Sequence, residues 1–327
     1  MLFSWRLILI LAFPPAALGA ASAEREKLDV ARTVIKKADE LIRPGVYEGS
    51  LRVGGLDRWF IVHTPPGYSH KGTQRLIIAL HAAHGSMATM DDGRNDLRTL
   101  ARERNFVLVF PNGQNSREHR TGRSFWNADF CCNEAMTSGI DDVEFITRMT
   151  DFLIKAMSID SRRIHVLGLS NGGMLAQKIA AEAPGRYASF VSMAAVPGYY
   201  KNGKKWVYTM TKPAPVMLMH GTADRVVDFH GGVLDNIPAR KTLSFHESLR
   251  TWAVLNGCSS DPPTEKRESV SGHKGLAREL REISYRNCGA ATVGVAVEGV
   301  GHVWFDVESS GFRGTQRAVE FFHAHPR

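Results

Sequence analysis

From residue 58 onward, short apolar runs alternate with stretches of helical periodicity, and few folds accommodate that alternation. The runs 58–64, 75–81, 106–110, 163–167, 189–195, 215–220 and 292–298 are rich in Val, Ile, Leu, Phe and Met, and each is stopped by a nearby Gly or Pro. The stretches 95–104, 140–157, 171–183, 243–255 and 314–323 carry apolar residues at three- and four-residue spacing, as helices with one buried face do. Strands that read as continuous apolar runs are buried on both faces. Strands alternating with helices therefore predict a mostly parallel central sheet with helices on both sides, an α/β fold. No repeat or interdomain linker divides the 327 residues, so one domain is expected over 46–327. Segments 202–205 and 259–273 read as surface loops or insertions.

The first 23 residues differ from the rest. One charge, Arg6, precedes the apolar run Leu7 to Phe13, and Ala21-Ser22-Ala23 follows as a small-x-small cleavage pattern. That is the layout of a signal peptide, with an uncleaved anchor as its rival. The apolar run is too short for the roughly 20 residues that span a bilayer, so no stable membrane insertion is expected after cleavage. Residues 24–45 read as an N-terminal extension. Within it Leu28, Ala31, Val34, Ile35, Ala38, Leu41 and Ile42 mark one face of a helix ended by Pro44-Gly45.

Export to a secreted or periplasmic destination implies oxidising conditions, and the chain has four cysteines. Cys258 and Cys288 make the simpler bridge, closing a loop of about 30 residues, worth roughly 3–4 kcal/mol in the chain-entropy model. Adjacent Cys131 and Cys132 leave either a vicinal disulfide or two separate partners. Adjacent cysteines do not supply the separated ligand pairs of a zinc site, and no metal is expected. The formal charge of +8 is scattered, with small clusters at 201–205 and 274–286. No aromatic-studded basic motif accompanies it, which argues against nucleic-acid binding.

Gly168-Leu169-Ser170-Asn171-Gly172 falls between the run 163–167 and the helix expected from 171. A serine in G-x-S-x-G at a strand-to-helix turn has its hydroxyl lifted clear of the sheet, and the flanking glycines let strand and helix approach. A neutral alcohol needs a base, and the base needs an orienting acid. On such a scaffold these follow the serine in the order acid, then histidine, each on a loop after a later strand. Asp224 lies after the run 215–220 and His302 after 292–298, with Asp228 as the rival acid. The Asn171 N–H is the expected first oxyanion donor. The second is assigned to Ala83, with Ala82 as the alternative, in the loop His81-Ala82-Ala83-His84-Gly85. His84, Trp126 and Trp304 are candidate substrate contacts, set against plain packing roles.

Several segments carry a resemblance. Leu80-His81, Phe110-Pro111-Asn112-Gly113, Trp126-Asn127 with Cys131-Cys132, and Asp141-Asp142-Val143-Glu144-Phe145 are four of them. The others are Gly168 to Met174, His220-Gly221-Thr222-Ala223-Asp224, Asn256-Gly257-Cys258 with Cys288, and Gly301-His302-Val303-Trp304. Over 49–327 the chain resembles the esterase/polyhydroxybutyrate depolymerase family, which includes feruloyl and acetylxylan esterases. The resemblance implies a single-domain α/β-hydrolase fold that cleaves ester bonds with no metal or organic cofactor. Its expected substrates are polyhydroxybutyrate-derived oligomers or feruloyl and acetyl esters of plant polysaccharide. The chain departs from the family pattern at Ala82, at His84 and at Val303-Trp304-Phe305-Asp306, positions that bear on the shape of the acyl pocket. A serine peptidase and a non-enzymatic carbohydrate-binding scaffold are the readings from other classes.

Overall fold

The computed structural model describes residues 33–35, 43–114, 122–233, 240–271 and 277–327. The signal peptide read over 1–23 lies outside them. So does most of the helix read over 24–42, whose described part, Thr33–Ile35, is a short strand. Three β-branched residues in a row favour that outcome.

In chain order the strands are β1 Thr33–Ile35, β2 Gly45–Val53, β3 Leu56–Thr64, β4 Gln74–Leu80, β5 Val107–Pro111, β6 Ile159–Leu169 and β7 Ser189–Met193. They continue with β8 Gly198–Lys201, β9 Lys204–Val207, β10 Val216–Gly221, β11 Arg240–Thr242, β12 Thr264–Ser271, β13 Ala277–Ser284 and β14 Thr292–Val297. The helices are α1 Met87–Met90, α2 Leu97–Arg104, α3 Asn133–Thr137, α4 Asp142–Ala156, α5 Asn171–Glu182, α6 Phe245–Leu255, α7 Val307–Ser310 and α8 Gly314–Ala324.

Eleven strands form one sheet in the order β1-β2-β3-β5-β4-β6-β7-β10-β14-β13-β12. Its centre, β5-β4-β6-β7-β10-β14, is parallel throughout. All residues of β5, β7 and β10 are buried, as two covered faces require. One face packs on α4, α5 and α6 through Phe145, Ile146, Leu175, Ile179, Leu249 and Trp252. The other packs on α1, α2 and α8 through Met87, Leu97, Leu100, Phe321 and Phe322. The sheet and its two helical layers match the fold read from the alternating pattern.

The corrections fall at the sheet's margins. Residues 202–205, read as a loop, hold the turn of the β8–β9 hairpin, with Asn202 at φ 50° and Gly203 at φ 76°. Two successive positive φ values mark the turn type that suits an Asn-Gly hairpin. Segment 259–273 contains β12, which pairs antiparallel with β13. β2 and β13, absent from the sequence reading, extend the sheet at its two sides by antiparallel pairing with β3 and β14.

Candidate active site

Ser170 stands between the C-terminal end of β6 and the first turn of α5 at φ 55° and ψ −122°, a region that non-glycine residues rarely occupy. Its N–H donates to the Met193 carbonyl at 2.8 Å, which fixes the turn against β7. The close approach on either side depends on glycine. A Cβ at Gly168 would lie 2.4 Å from the Gly172 carbonyl, and one at Gly172 would lie 2.4 Å from the His81 carbonyl oxygen. The signature therefore satisfies a steric condition of this turn.

The acid and the histidine converge from β10 and β14, which run side by side. The His302 Nδ1 donates to the Asp224 Oδ2 at 2.8 Å. The Asp224 Oδ1 accepts from the Val226 and Val227 N–H groups at 2.9 and 3.0 Å. Burial by itself would raise the Asp224 carboxyl, but the donors on it, His220 and His302 among them, outweigh burial and hold it well below the usual carboxylate range. Asp228 is engaged elsewhere, with Arg225 at 3.3 Å and the His230 N–H at 2.8 Å. No hydrogen bond joins Ser170 to His302 among the described residues. Contacts of this kind commonly close only when substrate binds.

The candidate oxyanion side is built from side chain to backbone bonds. Asn171 is the first residue of α5 and is fully buried. Its side chain clamps the Trp126 backbone, accepting from the N–H at 2.7 Å and donating to the carbonyl at 3.0 Å. The Trp126 indole in turn donates to the His81 carbonyl at 2.9 Å. The His81 Nε2 accepts from the Gly113 N–H at 2.9 Å, and its Nδ1 donates to the Ala82 carbonyl at 2.8 Å. These two partners select the neutral ring. Burial pushes His81 down to about 4, against a smaller upward effect of the Ala82 bond. Ala82 and Ala83 are half-buried at the rim of this loop, and neither N–H is bonded to backbone among the described residues.

The candidate substrate contacts fare differently. Trp126 is 0% exposed with its indole bonded, so it holds the oxyanion loop from within. Trp304 is 9% exposed and donates to the Thr315 hydroxyl at 2.8 Å, which ties the His302 loop to α8. Neither indole presents a free face to a substrate. His84 is exposed at φ 63°, edge-on to Phe125 with ring centres 4.7 Å apart, and remains a rim residue.

Cys131 and Cys132 are linked by a cis peptide and bring their sulfurs together beside Asn171. Cys258 and Cys288 are joined with an S–S distance of 2.04 Å. No cluster of metal-ligating side chains occurs among the described residues.

Two features escaped the sequence reading. The buried Arg58 pairs with the buried Asp142 at 2.5 Å and lies 4.2 Å over the Phe145 ring. Asp142 also accepts from the Asn127 N–H at 2.6 Å, anchoring the segment that carries Trp126. The acidic start of α4 and an arginine at the head of the apolar run 59–62 were the available signals. The second is His220, at the buried end of β10, whose ring also reaches Asp224.

Fold and site define a class, the α/β hydrolases, and comparison with known proteins narrows it. The family model described as phospholipase/carboxylesterase matches residues 69–245, more than half of the chain. The chain belongs to that family. It is 27% identical over 258 residues to feruloyl esterase B of Piromyces equi, covering 75% of this chain and 42% of that protein. It is 26% identical over 262 residues to the putative esterase NocK of Nocardia uniformis subsp. tsuyamanensis, covering 77% and 72% respectively. The structure of an acetyl xylan esterase from Aspergillus awamori superposes with a TM-score of 0.56 at 16% identity, over 84% of this chain and 98% of that one, a likeness of fold.

Proposed function

We propose that this chain is an exported serine esterase that cleaves carboxylic esters through a covalent acyl-enzyme. One observation carries the reading. A serine at positive φ in a strand-to-helix turn stands at the C-terminal end of the parallel strands, as does a histidine whose Nδ1 lies 2.8 Å from a buried aspartate held by two backbone N–H groups. Because Nδ1 donates to Asp224, the His302 Nε2 is free to take the Ser170 proton. Asp224 fixes that tautomer and stabilises the imidazolium. The Asn171 N–H, aided by the positive end of α5, and the Ala83 N–H receive the oxyanion. Water activated by the same ring then releases the acid.

The likeness to feruloyl esterase B, and to another relative named acetylxylan esterase A, favours feruloyl or acetyl esters of plant polysaccharide as the substrate class. Residues 1–23 act as the export signal, which makes the mature enzyme secreted or periplasmic. The test is initial rates of the mature protein on p-nitrophenyl butyrate, methyl ferulate and a 3-hydroxybutyrate oligomer, beside Ser170→Ala. Loss of about 10³-fold or more in kcat in the variant is expected. Retention of most of the activity would overturn the assignment. The fastest substrate decides between cell-wall and polyester chemistry.

A further inference from the structure

Asp224 receives a second ring. The His220 Nε2 lies 3.2 Å from the same Asp224 Oδ2 that His302 binds, and 2.8 Å from the Val227 carbonyl. A carbonyl only accepts, so that nitrogen carries a proton, which it donates to the Val227 carbonyl while facing the carboxylate 3.2 Å away. The ring is 1% exposed and boxed edge-on by Phe229 and Phe245, with ring centres 5.6 and 6.1 Å away. It cannot turn without opening that box. The titratable groups facing Asp224 are His302 from the loop after β14 and His220 from β10, while Arg225 turns outward to Asp228.

We infer that His220 is a positioning residue for the reaction, fixing the Asp224 carboxylate from behind and setting how strongly it draws on His302. This rests on the assignment of Ser170, Asp224 and His302. A donor on Oδ2 withdraws charge from the oxygen that His302 uses. With His220 in place the aspartate holds the imidazolium less tightly. Removing the donor concentrates charge on that oxygen, raises the pKa of the base and loosens the carboxylate.

The experiment compares kcat/KM against pH for wild type, His220→Phe and His220→Gln on p-nitrophenyl butyrate. Phenylalanine keeps the ring in its aromatic box and removes the proton. Glutamine places an N–H donor near the position of Nε2. In His220→Phe, the plateau kcat/KM is expected to fall about 10-fold, and the acid limb of the profile to move up by about half a pH unit. In His220→Gln both are expected to return most of the way to wild type. A His220→Phe profile whose acid limb does not move overturns the inference, whatever happens to its melting temperature. Should His220→Phe not fold, a His220→Gln profile that matches wild type supports the inference. One that loses activity as if the donor were gone overturns it. Ser170→Ala separates the two layers of argument, because activity surviving in that variant removes the site assignment itself and not only the role of His220.

Discussion

The turn that carries Ser170 and the loops that carry Asp224 and His302 stand at the C-terminal ends of strands in one sheet, yet different forces fix them. The serine turn is set by backbone sterics. Its conformation is allowed only because glycines at 168 and 172 let β6, α5 and the His81 loop close to distances that a methyl group would forbid. The acid–histidine side has no such crowding requirement. It is set by hydrogen bonds converging on one buried carboxylate, two from backbone and one from an imidazole ring, with a second ring 3.2 Å away. Sterics tolerate no partial answer, whereas a hydrogen-bonded carboxylate can lose one donor and still function at a reduced rate. The two sides should therefore fail differently.

The largest effect is expected where the hydrogen-bonded side loses its charge altogether. In Asp224→Asn an amide faces two ring N–H donors, and His302 gains by turning to the wrong tautomer. A fall in kcat of about 10⁴ is expected, as for the corresponding change in other triads. Asp228→Asn, whose carboxylate serves Arg225 and the His230 N–H, is expected to stay within about threefold of wild type. Steady-state kinetics on one chromogenic ester check both, and a reversed order would exchange the two aspartates.

Next comes the steric side. Gly172→Ala puts a Cβ within 2.4 Å of the His81 carbonyl oxygen and 2.6 Å of that of Leu80. Both neighbours are backbone, so the start of α5 or the loop after β4 must move, and the proposed oxyanion donors at Asn171 and Ala83 lose their common aim. A loss of about 10²–10³ in kcat is expected, the size seen when an oxyanion donor is removed. Near-normal kinetics would show that the crowding relaxes without cost. The comparison would then lose its steric half.

This contrast also explains what the sequence made legible. The steric side writes itself as a local motif, because glycine is the residue that satisfies the constraint, and Gly168 and Gly172 were read directly. The parallel centre of the sheet was legible for a related reason, since strands buried on both faces become unbroken apolar runs. The hydrogen-bonded side depends on residues distant in sequence, so His220 and the Arg58–Asp142 pair looked like ordinary polar residues. The margins of the sheet were hidden by charge. β13 reads Ala-Arg-Glu-Leu-Arg-Glu-Ile-Ser, with Leu280 and Ile283 as its buried residues, and β12 is polar and exposed at the sheet's edge. Charged edge strands discourage pairing with other chains and for the same reason do not resemble core strands. The roles of Trp126 and Trp304 stayed open in the sequence, because an aromatic near a catalytic motif looks alike whether it lines a pocket or holds a loop.

The smallest expected effect tests whether the oxyanion loop depends on a neutral ring. His81 titrates at about 4 in the folded chain against an ordinary value of 6.5, with burial as the leading cause. Between those values the unfolded chain binds a proton at this position and the folded chain does not. Stability from this group is therefore complete above pH 6.5, declines as pH falls through the window, and is gone below about 4. Its full size is on the order of 3 kcal/mol. His165, buried against Phe322 and pushed down to about 2, mainly by burial, adds a loss of the same sign. The wild-type slope thus has two sources, and variants separate them. His81→Gln keeps an acceptor for the Gly113 N–H and removes the titration, so its melting temperature should fall less steeply between pH 6.5 and 4 than that of wild type. His165→Asn should flatten the same curve while leaving ester turnover at pH 7 within about twofold, since that ring lies far along β6 from Ser170. A His81→Gln curve parallel to wild type would mean that the ring is already protonated when folded. Its Nε2–H would then oppose the Gly113 N–H, and the chain of bonds from Gly113 through His81 to Trp126 and Asn171 would not be what holds the oxyanion loop.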